Sequence, residues 1–289
     1  MIIEFVGPME GSKIFESYRA IGYYTNGVPI QVLYHERLKE NFIVTCVGKS
    51  YHIYNASKLG LTRVSDPQEE DISCLLASGN RIYIAVGNNI RGIERNKQDV
   101  LEFTKHTNDV HTLLAFGKHF ISIDKESNLI VWCIESQEPY LEIGFNNDVF
   151  RITCALHPAT YVNKLLIGSS QGSLQLWNIR TNKMIYEFGG WGSSVTVMKQ
   201  APAVDVAGIG LANGDIYIHN LKFDETILKF TQDWGPVIGL SFRTDGAPIM
   251  VSSSTQGHLA VWNLEEKRLT SQIRDAHSMA GETKLLLSY

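Results

Sequence analysis

The sequence predicts an all-β fold, a β-propeller with six recognisable four-stranded blades and an incomplete closing seventh blade. Two segments, residues 168–179 and 253–264, align without gaps. Midway between them, residues 210–221 keep the same turn glycine and the same closing asparagine. A spacing of about 42 residues is typical of propellers, in which each repeat supplies one blade.

The repeat continues upstream in a weaker form and gives six copies in all. In each copy one characteristic residue lies near the end of the third predicted strand, and these residues recur every 39 to 45 positions. They are Tyr54, Ile93, Trp132, Trp177, His219 and Trp262. We therefore expect six blades, in which these side chains have structural roles between blades.

Each repeat is predicted to contain four short strands. In the copy around Trp177 the apolar runs cover residues 150–158, 164–170, 173–179 and 183–188. Short runs of this kind, many of them alternating, predict half-buried strands, and the short turns between them predict antiparallel hairpins. Helical periodicity is scarce.

The repeats also set the predicted domain boundaries. We expect a propeller over residues 14–277, an N-terminal tail over 1–13 and a divergent C-terminal tail over 278–289. A ring of this kind closes when both ends of the chain contribute strands to one blade. Residues 14–24 are the candidate N-terminal contribution to this blade, and residues 284–289 are the candidate C-terminal strand. Together they are too short for four strands, so we expect only a partial closing blade.

Composition and charge exclude several protein classes. Hydrophobic residues make up 44% of the 289 residues and charged residues 19%, which disfavours a disordered chain or a coiled coil. The formal net charge of -4 lacks the long-range attraction of a dedicated nucleic-acid binder, so we expect any RNA contact to be local. No apolar run approaches the length of a membrane-spanning helix, and the first residues lack the regions of a signal peptide.

Cysteines and histidines show no pattern of a chemical site. Cys46, Cys74, Cys133 and Cys154 are too widely spaced for a C-x-x-C metal or redox motif, and we expect reduced, mostly buried thiols. The nine histidines are scattered singly, and none pairs with an acidic residue at a recognisable catalytic or metal spacing. The sequence therefore predicts no catalytic residue, no metal ligand and no cofactor.

One motif that suggests an enzyme is better explained by the repeat. Residues 168–172 match the G-x-S-x-G nucleophile elbow, with Ser170 at its centre. That chemistry requires a strand, a strained turn and then a helix, whereas the residues that follow alternate as in a strand. The same turn recurs at Gly214 and Gly257 without the serine, so we expect a hairpin turn here.

Two further tryptophans precede predicted blades and are the candidates for partner binding. Trp191 and Trp234 lie 43 residues apart, in the sequences GGWGSSV and QDWGPV. One interpretation makes them aromatic anchors for a protein partner on one face of the propeller, where such rings often dominate binding. The other makes them packing residues that fill the space of an absent histidine. The sequence alone leaves both interpretations open.

The blade endings resemble WD repeats. In that family a strand closes with Trp-Asp and the next blade begins after Gly-His, and the His, a turn Asp, a strand Ser or Thr and the Trp form a buried hydrogen-bond network. Here asparagine replaces the aspartate after Trp177 and Trp262, and the histidine survives mainly as His106 and His277. The resemblance implies structural roles for these two histidines and only part of the network in this chain.

Several longer runs extend the resemblance beyond the repeat consensus. Among them are SYRAIGYYTNGVP, FIVTCVGKSYHIYNASKL and ITCALHPATYVNKLLIGSSQGSLQLWNI. The chain resembles, over residues 14–278, the N-terminal propeller of the U3 small nucleolar RNA-associated protein 21 family, known in animals as WD repeat-containing protein 36. After His277 the family continues with a regular next blade, whereas this chain reads SMAGETKLLLSY. The resemblance thus implies a C-terminally truncated form.

The resemblance also implies a function. It implies a non-enzymatic scaffold subunit of the small-subunit processome, in the nucleus and nucleolus, that supports pre-ribosomal RNA processing toward 18S ribosomal RNA and small-subunit assembly. The implied partners are other propeller proteins of the U3 subcomplex, the U3 ribonucleoprotein and pre-ribosomal RNA, with RNA contact indirect or local. No membrane and no small-molecule substrate are implied. The alternatives are a WD-repeat adaptor in a signalling complex outside ribosome assembly and, further removed, a propeller enzyme with a channel site.

Overall fold

The computed structural model describes residues 27–36, 38–94 and 100–274, which form twenty-four β-strands. The apolar runs are four to eight residues long and end at polar or glycine-containing turns, so they pair as antiparallel hairpins and are too short to be stable as helices. The described ranges contain no helix, and thus no helix long and apolar enough to cross a membrane.

Every four consecutive strands form one sheet, and each sheet is one blade. The first three blades comprise β1 (Gln31–His35), β2 (Glu40–Val47), β3 (Ser50–Asn55), β4 (Leu61–Val64), β5 (Ile72–Ser78), β6 (Arg81–Val86), β7 (Asn89–Glu94), β8 (Val100–Phe103), β9 (Val110–Phe116), β10 (His119–Asp124), β11 (Asn128–Cys133) and β12 (Pro139–Gly144). The last three comprise β13 (Ile152–Leu156), β14 (Lys164–Ser169), β15 (Leu174–Asn178), β16 (Lys183–Phe188), β17 (Val195–Gln200), β18 (Val206–Leu211), β19 (Asp215–Asn220), β20 (Glu225–Thr231), β21 (Val237–Phe242), β22 (Ile249–Ser254), β23 (Leu259–Asn263) and β24 (Arg268–Ile273).

Within each blade the spatial order of the strands follows the chain, and all pairs are antiparallel. The first strands of neighbouring blades pack on one another in succession, β1 on β5, β5 on β9, β9 on β13, β13 on β17 and β17 on β21. The first strand of each blade is therefore innermost, and the fourth strand forms the mostly exposed outer edge. The all-β propeller with six four-stranded blades, predicted from the repeat, is confirmed.

Some predicted features fall outside the described residues. These are the tails at 1–13 and 278–289, the two candidate shares of the closing seventh blade, and His277. The proposed domain limits at residues 14 and 277 therefore stay predictions.

The apolar core lies between the blades. Five clusters of buried side chains each join two neighbouring blades. Between the second and third blades, for example, Tyr83, Phe103, Phe120 and Trp132 pack ring against ring, with centroids 4.8 to 6.4 Å apart. Each blade thus depends on its neighbours for burial of its apolar faces, as in other repeat architectures.

A hydroxyl group near the start of three inner strands ties each of these strands to the next blade. The hydroxyl donates a hydrogen bond to a main-chain carbonyl of the following inner strand, at 2.5 to 2.7 Å. The pairs are Ser73 with Val110, Thr153 with Val195, and Thr196 with Val237. These bonds fix how far one blade is shifted along the axis relative to the next.

The propeller has two loop faces, because successive hairpins of a meander alternate between its two ends. We call one end the upper face: it carries the loops between blades and the turns between the second and third strands of each blade. The opposite end is the lower face, which carries the turns between first and second strands and between third and fourth strands. On the upper face the main-chain N–H of Trp191 donates to the carbonyl of Gly172 at 3.2 Å. Gly172 has a φ of +93°, and a Cβ there would lie 2.6 Å from the carbonyl oxygen of Ser193, so this turn requires glycine.

Candidate interaction surface

The loop before the third blade places His106 in a buried hydrogen-bond network. His106 Nε2 lies 2.6 Å from Ser122 Oγ, which accepts a hydrogen bond from Trp132 Nε1 at 2.7 Å. The serine hydrogen is then directed to Nε2, so the imidazole carries its hydrogen on Nδ1 and donates it to Asp124 Oδ2 at 3.2 Å. These four residues make up the complete network that the resemblance to WD repeats implied only in part.

The network requires His106 to be neutral. Burial lowers the pKa of His106, and the hydrogen bond and charge of Asp124 oppose that shift. A proton on Nε2 would also leave Ser122 Oγ facing two donors, with no acceptor for its own hydrogen. The ring therefore acts here as a structural acceptor.

Gln232 takes the place of the histidine in the sixth blade. Trp262 Nε1 donates to Ser252 Oγ at 2.9 Å, and Ser252 Oγ donates to Gln232 Oε1, also at 2.9 Å. The order of donors is the same as in the third blade, from indole to hydroxyl to acceptor. Because an amide gains no proton in the physiological range, this copy of the network does not titrate.

The fourth blade uses an aromatic ring at the corresponding place. We call the side chain that reaches from the preceding loop toward the third strand of a blade the junction residue of that blade. Phe145, the junction residue of the fourth blade, meets Trp177 edge to face with 5.3 Å between ring centroids. Trp177 Nε1 donates to Gln175 Oε1 of its own strand at 3.0 Å, and Trp177 remains half-buried.

Trp191 is the junction residue of the fifth blade. Its ring stacks on Tyr217 with centroids 5.0 Å apart and meets His219 edge-on at 5.3 Å. His219, the blade-ending residue, is buried, and burial lowers its pKa. Its Nε2 lies 3.1 Å from Asp224 Oδ1. Trp191 thus packs against the next blade while part of its ring stays at the upper face.

Trp234 does not occupy the same place as Trp191. Gln232 is the junction residue of that loop, and Trp234 follows two residues later, packed on the core between the fifth and sixth blades and edge-on to His258 at 5.9 Å. Trp234 Nε1 is buried and has no hydrogen-bond acceptor among the described residues. A buried N–H without an acceptor raises the free energy of the fold.

Two predicted blade positions remain in the described residues. Ile93 is partly buried and packs against the core between the first and second blades. The other is Tyr54. It lies at the end of β3, is 5% exposed, and its hydroxyl is 3.2 Å from Nδ1 of His52, two residues earlier on the same strand. Strand residues two apart point to the same face. The polar group of Tyr54, like that of Trp177, therefore finds its hydrogen-bond partner two residues earlier on its own strand.

The turns of the upper face carry the serine of the G-x-S-x-G match and the two candidate tryptophans. Ser170, the centre of the G-x-S-x-G match, lies in the turn that leads into β15, and its Oγ donates to Oε1 of Gln171 at 3.1 Å. In the part of the chain that the structure describes, no three His, Cys, Asp or Glu side chains converge as a metal site. Trp191 and Trp234 are both partly exposed in loops of the upper face.

Residues 43–286 match the family described as WDR36/Utp21 first beta-propeller. The chain belongs to the WDR36/Utp21 family. WD repeat-containing protein 36 of Homo sapiens is 48% identical over 93% of this chain, and the U3 small nucleolar RNA-associated protein 21 homolog of Schizosaccharomyces pombe is 36% identical over 94%. U3 small nucleolar RNA-associated protein 21 of Saccharomyces cerevisiae is 30% identical over 95%. The chain spans 30% of the length of each of these relatives.

The WDR36/Utp21 resemblance predicted from the longer sequence runs is therefore confirmed, but the sequence did not reveal some partners in the networks. Ser122 and Ser252 each lie ten residues before the tryptophan that they accept from, and this spacing was a usable signal. Gln232 had no such signal, because nothing in QDWGPV distinguishes its amide from the neighbouring tryptophan as the group that replaces histidine.

Proposed function

We propose that this WDR36/Utp21 propeller is a non-enzymatic scaffold subunit in ribosome biogenesis, within the small-subunit processome of the nucleolus. The observation that carries the proposal is the family match, since the two yeast relatives are named as U3 small nucleolar RNA-associated proteins. In this role the chain supports processing of pre-ribosomal RNA toward 18S ribosomal RNA and assembly of the small ribosomal subunit.

The proposed partners are other propeller proteins of the U3 subcomplex. The upper face supports this role, because Trp191 and Trp234 are half-buried rings in adjacent loops and aromatic rings of this kind anchor many protein interfaces. The U3 ribonucleoprotein and pre-ribosomal RNA are reached through these proteins or by local contact, in keeping with the formal net charge of -4.

Affinity purification of the tagged full chain from cells of its own source organism tests the proposed function. We expect U3 small nucleolar RNA and pre-ribosomal RNA to be enriched over an untagged control, while the spliceosomal U1 RNA is not enriched. Recovery of signalling proteins without U3 RNA would contradict the proposal and favour an adaptor outside ribosome assembly.

A variant with Trp191→Ala and Trp234→Ala tests the proposed surface. We expect the loss of U3-associated proteins, with at least one ring contributing about 2 kcal/mol or more to binding. Phe223→Ala is the matched control, because Phe223 is a 68% exposed ring on the lower face. Thermal unfolding of both variants separates lost binding from lost folding. If Trp234→Phe and the double variant both keep every partner, the rings are packing residues and the surface lies elsewhere.

A further inference from the structure

An open groove lies on the lower face, between the third and fourth blades. It consists of two adjoining cavities of about 260 and 350 Å³ that share Phe116, His119 and Asn163 as lining residues. Its walls come from the turn between β9 and β10, the loop between β13 and β14 and the turn after β15. The groove is thus on the face opposite Trp191 and Trp234, and its chemistry is independent of the function proposed above.

Two pairs of rings line the groove. The ring of His119 stacks on Tyr140 with centroids 5.1 Å apart and an angle of 19° between planes. Phe116 packs against His157 with centroids 4.7 Å apart. Tyr140 remains 53% exposed beside these contacts. The rings therefore form a surface on which a further apolar side chain can pack.

Main-chain carbonyls hold both histidine rings in place. His119 Nδ1 donates to the carbonyl of Trp132 at 3.2 Å, and His157 Nδ1 donates to the carbonyl of Lys164 at 2.8 Å. A carbonyl oxygen only accepts, so each ring carries a hydrogen on Nδ1 and its Nε2 lies outside these bonds. The walls are therefore ordered before any ligand arrives, which lowers the entropic cost of binding.

Exposed apolar surface continues at the rim. Val162, in the loop between β13 and β14, lines the larger cavity and is 79% exposed. A side chain that packs on Val162 or on the ring of Tyr140 buries apolar surface, which is the main source of binding free energy at such sites.

The charged residues that line the groove are both cations. Lys118 and Arg180 are exposed, and no aspartate or glutamate is among the lining residues. Neither forms a salt bridge with another residue of the described ranges, whereas Arg91 and Lys125 on the same propeller do. Asp205, close to the loop that forms one wall, accepts a hydrogen bond from the hydroxyl of Thr160 at 2.9 Å. Charge complementarity therefore favours an anionic occupant.

We propose that this groove binds an acidic segment of a partner protein. One apolar or aromatic side chain of the segment packs among Phe116, Tyr140 and Val162, and carboxylates on either side of it meet Lys118 and Arg180. The observations favour a peptide over single-stranded RNA, because RNA binding depends on a basic track that neutralises several phosphates in succession. The groove offers two lining cations on a chain whose formal net charge is -4.

Fluorescence anisotropy with the purified full chain tests the proposal. The probe is a fluorescein-labelled peptide, Glu-Asp-Asp-Phe-Glu-Leu-Asp-Glu, and its control replaces Phe and Leu by Gly at the same charge. We expect saturable binding of the probe, weakening with added salt, and much weaker binding of the glycine peptide. Lys118→Glu and Arg180→Glu should each raise the dissociation constant about ten-fold, since each replaces an attraction by a repulsion.

Three controls make the test decisive. Lys58→Glu changes the same charge on the lower face of the first blade, outside the groove, and should alter the dissociation constant by less than about two-fold. Tyr140→Ala should weaken binding of the peptide without changing the melting temperature of the chain. Equal weakening by Lys58→Glu, or no saturable binding of the peptide, overturns the proposal. So does tighter binding of an oligouridylate probe that is lost in Lys118→Glu and Arg180→Glu, because the groove is then a nucleic-acid site.

Discussion

Trp132 donates its indole hydrogen to Ser122 Oγ at 2.7 Å in a place where the two residues are 1% and 0% exposed. Trp177 holds the same position in the next blade, yet it is half-buried and donates to Gln175 on its own strand. The blade-ending tryptophans therefore share a place in the repeat but differ in burial and in what their N–H group connects.

This difference predicts unequal costs of truncation. Trp132→Ala should lower the free energy of unfolding by about 3 to 5 kcal/mol, because it removes a fully buried ring and leaves Ser122 without its donor. Trp177→Ala should cost clearly less, because part of its ring is already in water. Urea unfolding of the two variants beside the parent chain measures both values. Equal midpoints for the two variants would contradict the explanation by burial.

The neutral state of His106 predicts a dependence of stability on pH. Burial holds the pKa of His106 below its usual 6.5 in the folded chain. Between that lowered pKa and 6.5 the unfolded chain binds more protons, so the contribution is fully present above pH 6.5 and is lost as the pH falls below it. His106→Gln should reduce this loss, because Gln232 already serves as the uncharged acceptor in the sixth blade.

Denaturant unfolding of the parent chain and of His106→Gln at several pH values, from neutral to mildly acidic, measures the effect. The variant should show a shallower loss of stability, and some slope should remain because burial also lowers the pKa values of His111 and His219. Parallel curves for the two proteins would show that His106 does not titrate differently in the folded chain.

How far the sequence predicts the structure varies from residue to residue. The six blades follow from recurring turn glycines and strand endings, because these are local properties that each repeat carries by itself. The junction residues are less predictable. The same position before a blade is occupied by side chains of different chemistry, namely His106, Phe145, Trp191 and Gln232. Which side chain fits depends on its third-strand partner in the following blade. The lower-face groove joins loops of two blades, so no single repeat reveals it.

Gly172 allows a test of the turns on the upper face with a built-in control. Gly172→Ala should destabilise the chain by about 1 to 3 kcal/mol, because it combines a left-handed φ with a close approach to the Ser193 carbonyl. Gly189→Ala is the control, since a Cβ there meets nothing within 4 Å and its φ is not left-handed. Thermal unfolding compares the two variants. If both shift the melting temperature equally, the cost does not come from the geometry of this turn.

The four cysteines are free, and their surroundings predict an order of reactivity. Burial raises the pKa values of Cys46 and Cys154 to about 12 and also raises that of Cys74. Hydrogen bonds from Ser136 instead lower the pKa of Cys133, which is partly exposed at the end of β11. The thiolate is the reactive form, so iodoacetamide should modify Cys133 first in the folded chain.

Mass spectrometry of peptides after timed alkylation measures this order. Cys133 should be labelled while the other three thiols stay protected, and all four should react in guanidinium chloride once the blades separate. Ser136→Ala should slow the labelling of Cys133, because it removes the hydroxyl that stabilises the thiolate. Cys133→Ser should leave the folded chain nearly unlabelled. Early modification of Cys46, which lies at 0% exposure between the first and second blades, would instead show that this interface opens in solution.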